Sequence, residues 1–296
     1  MWVTQRVYSE NRENEGGSIV TSESIRDFRE SGRVLIRDTG FMYLLPHPAL
    51  RKWISNYTIT FPYDSQMSNE YAIIPHGSAT LVFSSTESNI SGELFGPMTR
   101  PICVGKEANS SNALFIVEFQ PAGYYAFSGI PQKELTDLTF PLKDVNPELF
   151  RGTAHQFETA STIESFVEAV DELLMTHLNP PVWRQEFSFV HQMIQSGGGV
   201  IPVKKLSQNA FYSERHLSRI FDQYMGVQVK SFSRLVRLNR AIRLLRHPHN
   251  SMTQVYLQTG YYDMPHFIHD FKSICGITPQ AYRDNMSDFY SEIAKF

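Results

Sequence analysis

One stretch of this chain occurs twice, fifty residues apart. Phe211, Tyr212, Leu217, Phe221, Gly226, Val227 and Phe232 return as Tyr261, Tyr262, Phe267, Phe271, Gly276, Ile277 and Tyr282. Apolar and Gly positions repeat while most polar positions do not. The chain therefore encodes two copies of one folding unit whose outer surfaces meet different partners. Ser213 and Asp263 stand where a helix N-cap is needed, and Gly226 and Gly276 where a helix ends in the left-handed conformation. Tyr212 with Leu217, and Tyr262 with Phe267, have the spacing of a hydrophobic staple.

Before the first copy, residues 203–209 predict a short helix and residues 210–212 a tight turn. Helix, tight turn and capped helix is the helix-turn-helix, which sets its second helix in the major groove of DNA. At about 100° per residue, Leu217, Ile220, Phe221 and Tyr224 fall on one side of that helix. Arg215, Arg219 and Asp222 fall opposite, flanked by Ser218, with Glu214 at the N-terminal end. Arg215 and Arg219 are the leading base or phosphate contacts, since Arg binds guanine through two hydrogen bonds, worth roughly 1–3 kcal/mol of discrimination. In the second copy Phe267 and Phe271 point inward, while Pro265, His269 and Lys272 lie opposite, and Met264 and His266 supply contacts at the near end. Pro265 has no donor and His269, equivalent to Arg219, is mostly neutral at pH 7. The second reader is expected to contribute less electrostatic binding.

Residues 229–246 predict one helix between the copies, a rod of roughly 27 Å. Phe232, Leu235, Leu238, Ala241, Ile242 and Leu245 form its buried face, and Arg234, Arg237, Arg240, Arg243 and Arg246 recur at threes. Arg240 and Arg243 are expected at phosphates, and one or two of the others between subdomains. Charge supports this placement. Residues 1–182 hold 13 Lys and Arg against 22 Asp and Glu, a charge of −9, whereas residues 183–284 hold 13 against 6, a charge of +7. Only the C-terminal half has the balance of a nucleic-acid partner.

The fold class read from the whole chain is α+β. Residues 1–40 read as a polar arm, with a short helix over 22–30. Residues 41–178 read as a β-rich barrel or sandwich-like domain ending in helix, residues 179–284 as the all-α domain, and residues 285–296 as a helical tail. Short β-branched and aromatic runs at 57–61, 71–74, 80–83, 92–95, 102–105 and 113–119 are punctuated by Gly, Pro, Asn and Ser. Residues 47–54 predict a short helix opened by Pro48, and residues 159–177 an amphipathic one. Pro180 and Pro181 mark the boundary, and residues 182–195 predict the next helix, ended by Gly197, Gly198 and Gly199. Such a β domain either encloses a small-molecule cavity or is filled and serves dimerisation. Tyr57, Phe83 and Phe95 are the aromatic positions available for ligand contact, with core packing as their other role.

Catalytic and metal residues are not expected. His47, His76 and His155 are isolated, without converging ligands, and there is no Gly-x-Ser-x-Gly elbow or phosphate-binding Gly loop. No cofactor follows. Cys103 and Cys275 fit no metal or redox spacing, which suits a reducing cytoplasm. No apolar run is long enough to span a membrane, and the polar N-terminus shows no signal-peptide pattern.

An ordered set of residues resembles the AraC/XylS family of bacterial transcription regulators. It comprises Ser213-x-Arg215-x-Leu217-x-Arg219-x-Phe221, Gly226, Arg237-Leu238-x-x-Ala241-x-x-Leu244-Leu245, Gly260-Tyr261-x-Asp263, Phe267-x-x-x-Phe271-Lys272 and Gly276-x-Thr278-Pro279-x-x-Tyr282-Arg283. His269 stands where the family usually has Arg, and Pro265 where a small polar residue is common. The resemblance implies two helix-turn-helix subdomains on a linker helix, direct control of transcription (activation included) and RNA polymerase as a partner. Phe119-Gln120-Pro121-Ala122-Gly123 and Pro131-x-x-Glu134-Leu135-Thr136 are similar to the sensor or dimerisation domains fused to such regulators. The expected function is a cytoplasmic, sequence-specific regulator that binds double-stranded DNA and responds to a small-molecule effector. A ligand-independent regulator whose N-terminal domain forms a homodimer is the second reading. An enzyme with a DNA-binding tail is the third.

Overall fold

The computed structural model describes residues 21–22, 24–28, 32–38, 40–62, 68–286 and 289–290. Most of the arm read at 1–40 therefore lies outside the described residues. Its described part is not a free arm. α1 (Ser24–Asp27) and the residue after it bring Ile25 and Phe28 into the N-terminal core, and β1 (Val34–Arg37) is the edge strand of the main sheet. β2 (Phe41–Leu44) and β3 (Ile54–Thr60) follow, then β4 (Ala72–Ile73), β5 (Thr80–Ser85), β6 (Ile90–Phe95), β7 (Ile102–Cys103), α2 (Gly105–Ala108), β8 (Ala113–Phe119), α3 (Tyr125–Ser128) and β9 (Thr139–Pro141).

Seven strands form one antiparallel sheet in the order β1-β2-β3-β8-β5-β6-β9. The short helix expected over 47–54 is instead a single 3-10 turn, Pro48–Leu50, and Ile54 already pairs with Phe119. Period-2 alternation explains the commitment to strand. Tyr57, Ile59, Leu81, Phe83, Phe115, Val117 and Phe119 turn to one face and are buried there. α4 (Leu142–Val145), α5 (Pro147–Thr159) and α6 (Ile163–His177) lie at that face, and Phe157 and Phe166 meet Phe115 at 6.5 and 4.9 Å between ring centroids. α6 is started by a capping box between Thr162 and Ser165. Asp171, 3 % exposed, pins the layers together. Its carboxylate accepts from Tyr57 Oη at 2.7 Å, from the Arg33 guanidinium at 2.6 Å and from the His47 amide at 3.0 Å.

The opposite sheet face is polar and also buried. Asn56, Thr58, Thr60, Thr80 and Glu118 are all less than about a tenth exposed. Thr80 Oγ1 donates to Glu118 at 3.0 Å, and His76 Nε2 stands 3.9 Å away from the same carboxylate. Burial, then the neighbouring Glu118, pushes the Tyr43 hydroxyl up to about 12.

The C-terminal half is helical up to residue 284. Its elements are α7 (Gln185–Ser196), α8 (Val203–Ala210), α9 (Glu214–Met225), α10 (Val229–Leu245), α11 (Met252–Gln258), α12 (Met264–Cys275) and α13 (Pro279–Asp284). α7 starts three residues later than expected: residues 182–184 behind the Pro pair are not helical, and Arg184 is extended. Part of the tail read as helical is a strand: β10 (Phe289–Tyr290) pairs in parallel with β4, making a three-stranded sheet with β7. Two cores fill this half. Leu217, Phe221 and Phe232 centre the first, and Leu238, Phe267 and Phe271 the second. Both take in N-terminal side chains, Ala122 with Tyr125 packed beside it in the first and Ile74 in the second.

Candidate nucleic-acid interface

α9 and α12 are started and stopped as their sequences require. Ser213 Oγ accepts from the His216 amide at 3.2 Å, and Asp263 Oδ1 accepts from the His266 amide at 2.8 Å. Gly226 and Gly276 close the two helices at φ of 72° and 76°, where a side chain is strained. The tight turn before α9 is made by Phe211, itself left-handed at φ 60°. The expected staples do not form. Tyr212 stacks on His216 at 4.6 Å, and Tyr262 is 90 % exposed. In the second copy Tyr261 packs on Phe267 instead, at 5.1 Å.

On α9, Leu217, Ile220, Phe221, Tyr224 and Met225 are buried, while Glu214, Arg215 and Arg219 are exposed and Ser218 is half-buried. On α12, His266, His269 and Lys272 are exposed. Met264 is half-buried against the second core, which leaves it less to offer outside. On α10, Arg240 and Arg243 are exposed. Arg234 is held inside: it bonds to Asp270 Oδ1 through Nε at 2.7 Å, and to Ser273 Oγ at 2.6 Å. Arg237 lies over the Tyr261 ring at 4.9 Å. The arginines at threes thus divide between subdomain ties and outward cations, as the helical period dictates.

Tyr57 and Phe83 are 0 % and 1 % exposed and pack on Phe115, and Phe95 is half-buried on β6. Among the described residues no group of three or more His, Cys, Asp and Glu could hold a metal ion, and no helix is long and apolar enough to cross a membrane. Cys103 is exposed. Cys275 is buried, which pushes its thiol far up.

A feature that the residue pattern did not reveal is the grip of the N-terminal domain on α9. Thr136 Oγ1 donates to the Gly226 carbonyl at 2.8 Å, Lys133 stands 3.9 Å from Asp222, and Gln223 donates to Tyr125 Oη at 3.3 Å. Tyr125 meets Tyr224 edge-on at 5.0 Å, with Trp183 against both. Asp222, read as part of the outward face, faces this domain. The Pro131-x-x-Glu134-Leu135-Thr136 motif was the signal available, since it supplies the 3-10 turn and the threonine that make the contact.

Two capped helices with cationic outer faces, set on one linker helix, define a double helix-turn-helix module. Residues 206–285 match a model described as a helix-turn-helix domain, and residues 42–141 match a domain of unknown function (DUF6597). The C-terminal module is a helix-turn-helix domain of the AraC type. Over 80 residues the chain is 32 % identical to the HTH-type transcriptional regulator ArgR of Pseudomonas aeruginosa, covering 27 % of this chain and 24 % of that one. It is also 32 % identical over 80 residues to the F1 operon positive regulatory protein of Yersinia pestis, covering 27 % and 26 %. A solved structure from Chromobacterium violaceum, a transcriptional regulator with an AraC-type DNA-binding domain, is 26 % identical with a TM-score of 0.30, covering 34 % of this chain and 93 % of that one. The chain spans about a quarter of the length of the curated relatives it matches.

Proposed function

We propose that the chain is a sequence-specific regulator of transcription that reads double-stranded DNA with α9 and α12. The observation that carries this is the pair of capped helices whose exposed faces hold Arg215 and Arg219 in one copy and His266, His269 and Lys272 in the other. Glu214 and Ser218 flank the first set and Met264 the second, while Arg240 and Arg243 serve phosphates. The family resemblance adds RNA polymerase as partner in the cytoplasm, and the relatives' names support the role in transcription regulation. The first copy is the stronger reader, because two arginines neutralise phosphate where the second offers one lysine. The test is Arg219→Ala on a selected duplex. If Arg219 holds a phosphate, the slope of log affinity against log salt falls by about one unit. An unchanged slope with unchanged sequence preference removes Arg219 from the site.

The N-terminal domain sets the output, by our reading, through a small-molecule effector. The contact of Thr136 with Gly226 supports a regulatory role, since displacement of residues 132–136 acts directly on the first reader. One observation favours the ligand-independent alternative, a filled domain that forms a homodimer: Tyr57, Phe83, Phe115, Phe157 and Phe166 occupy the sheet's inner face with side chains less than 2 % exposed.

A further inference from the structure

A cleft of about 430 Å³ opens between the two reading units. α10 forms its floor with Lys230, Arg234 and Arg237, residues 199–203 form one wall, and His266 and Asp270 of α12 form the other. Its charges do not cancel. Asp270 is taken up by Arg234, at 2.6 and 2.7 Å, and by Tyr261 Oη at 3.1 Å. Lys230 and Arg237 face the same space, and among the described residues neither makes an ion pair to a carboxylate. Arg237 is pre-positioned by the Tyr261 ring, and its Nε is sealed from solvent without a hydrogen-bond partner. The wall adds a donor of its own. α8 starts at this cleft, with Pro202 at its N-cap and no side-chain cap; Lys205 N–H turns back to the Pro202 carbonyl at 2.9 Å, which leaves the Val203 amide at the positive end of the helix.

We propose that this cleft binds a phosphate oxyanion, held by Arg237, Lys230 and the opening amide of α8. Arg is suited to such a group by its planar donors, and Lys by its compact charge. The phosphate comes from one of two sources, the backbone of DNA lying across α12 or a free phosphorylated small molecule. Bound there, it joins both reading units to the linker helix without touching a base. Only the DNA source rests on the function proposed above.

The experiment uses the full chain and two variants, Lys230→Gln and Arg237→Gln. Inorganic phosphate is titrated against chloride at constant ionic strength, and thermal unfolding is followed. In a second arm, binding of a random-sequence DNA duplex is followed over a range of salt. A free-phosphate site raises the melting temperature of the wild type saturably, and both variants need at least tenfold more phosphate for the same rise. A DNA-phosphate site lowers the salt slope of Lys230→Gln by about 0.9. Lys230 is exposed, so its variant stays informative if Arg237→Gln disturbs the Tyr261 stack. No saturable phosphate effect together with an unchanged slope overturns the proposal. Loss of all duplex binding by the wild type defeats the DNA-reading function instead, and the phosphate titration then decides the cleft alone.

Discussion

Gly226 and Gly276 are equivalent positions of the repeat, and replacing each with Ala separates what the fold needs from what the N-terminal domain adds. Both are left-handed, so Ala at either position carries the same backbone strain, about 1–2 kcal/mol. Their surroundings differ. A Cβ on Gly276 would meet Pro101 Cγ at 3.6 Å, an ordinary contact. A Cβ on Gly226 would stand 2.6 Å from Thr136 Oγ1, 2.7 Å from the Gln132 carbonyl oxygen and 2.9 Å from its carbon. The backbone at Gln132 has no flexible end to swing away, so residues 132–136 must withdraw. That breaks the hydrogen bond from Thr136 to the Gly226 carbonyl, worth roughly 0.5–1.5 kcal/mol, and loosens the aromatic packing beside it. The expected loss is about 1–2 kcal/mol for Gly276→Ala and about 2–4 kcal/mol for Gly226→Ala. Urea unfolding followed by tryptophan fluorescence measures it, because Trp183 packs on Tyr125 and Tyr224 at this junction. Thr136→Val supplies the control. Combined with Gly226→Ala it costs less than the sum of the two, whereas with Gly276→Ala the losses add within roughly 0.5 kcal/mol. Equal losses at the two glycines, or additivity in both pairs, would refute the grip on α9.

Two further outcomes are expected. His191 lies between Phe187 and Phe232, at 5.7 and 5.2 Å, with Nε2 sealed and unpartnered, and burial lowers its pKa from 6.5 to about 4. The unfolded chain takes up this proton first as pH falls, so stability is lost from about pH 6.5 down to about 4, with roughly 2 kcal/mol gone at pH 5. A matching loss in His191→Leu, or an NMR titration of His191 near 6.5, would sink that assignment. For the N-terminal domain, an effector at a hundredfold excess over its Kd stabilises by about 2.7 kcal/mol. A metabolite screen by melting temperature on residues carrying an intact Tyr57–Asp171 bond reads this directly, and a flat screen with a stable dimer favours the ligand-independent alternative.

What the sequence revealed follows the range of the interactions. Caps, turn and terminal glycines of the two readers are set within four residues of themselves, so Ser213, Asp263, Gly226 and Gly276 were legible. β8 was found at its observed bounds, residues 113–119, because both its faces are buried and its run is β-branched and aromatic. Edge strands were not: β1 and β9 have exposed or half-exposed residues throughout, so pairing rather than patterning makes them strands. Tyr212 and Tyr262 misled because staple spacing is necessary but not sufficient, and His216 offered Tyr212 a flat ring to stack on. The grip of Thr136 on Gly226 spans ninety residues, so the local motif at 131–136 supplies the turn and the threonine but not the partner.

The repeat is also less symmetrical inside than its apolar pattern indicates. Asp270 has Ile220 as its equivalent, and Tyr261 has Phe211, which is 93 % exposed. The second reader is therefore tied to the linker helix by a buried carboxylate that bonds both Arg234 and Tyr261, a tie that is strongly destabilising to break from one side. The first reader has no such tie. Its Tyr224, Gln223, Asp222 and Gly226 are engaged by the N-terminal domain instead. The second unit is thus tied to the linker helix by a buried ion pair, whereas the first, packed on that helix through Phe221 and Phe232, is gripped by the N-terminal domain as well. Under the function proposed above, two helices that enter successive major grooves, about 34 Å apart, would bind jointly only when their separation is right. A shift of residues 132–136 would then change that separation through the junction side chains without touching the exposed faces of α9 and α12.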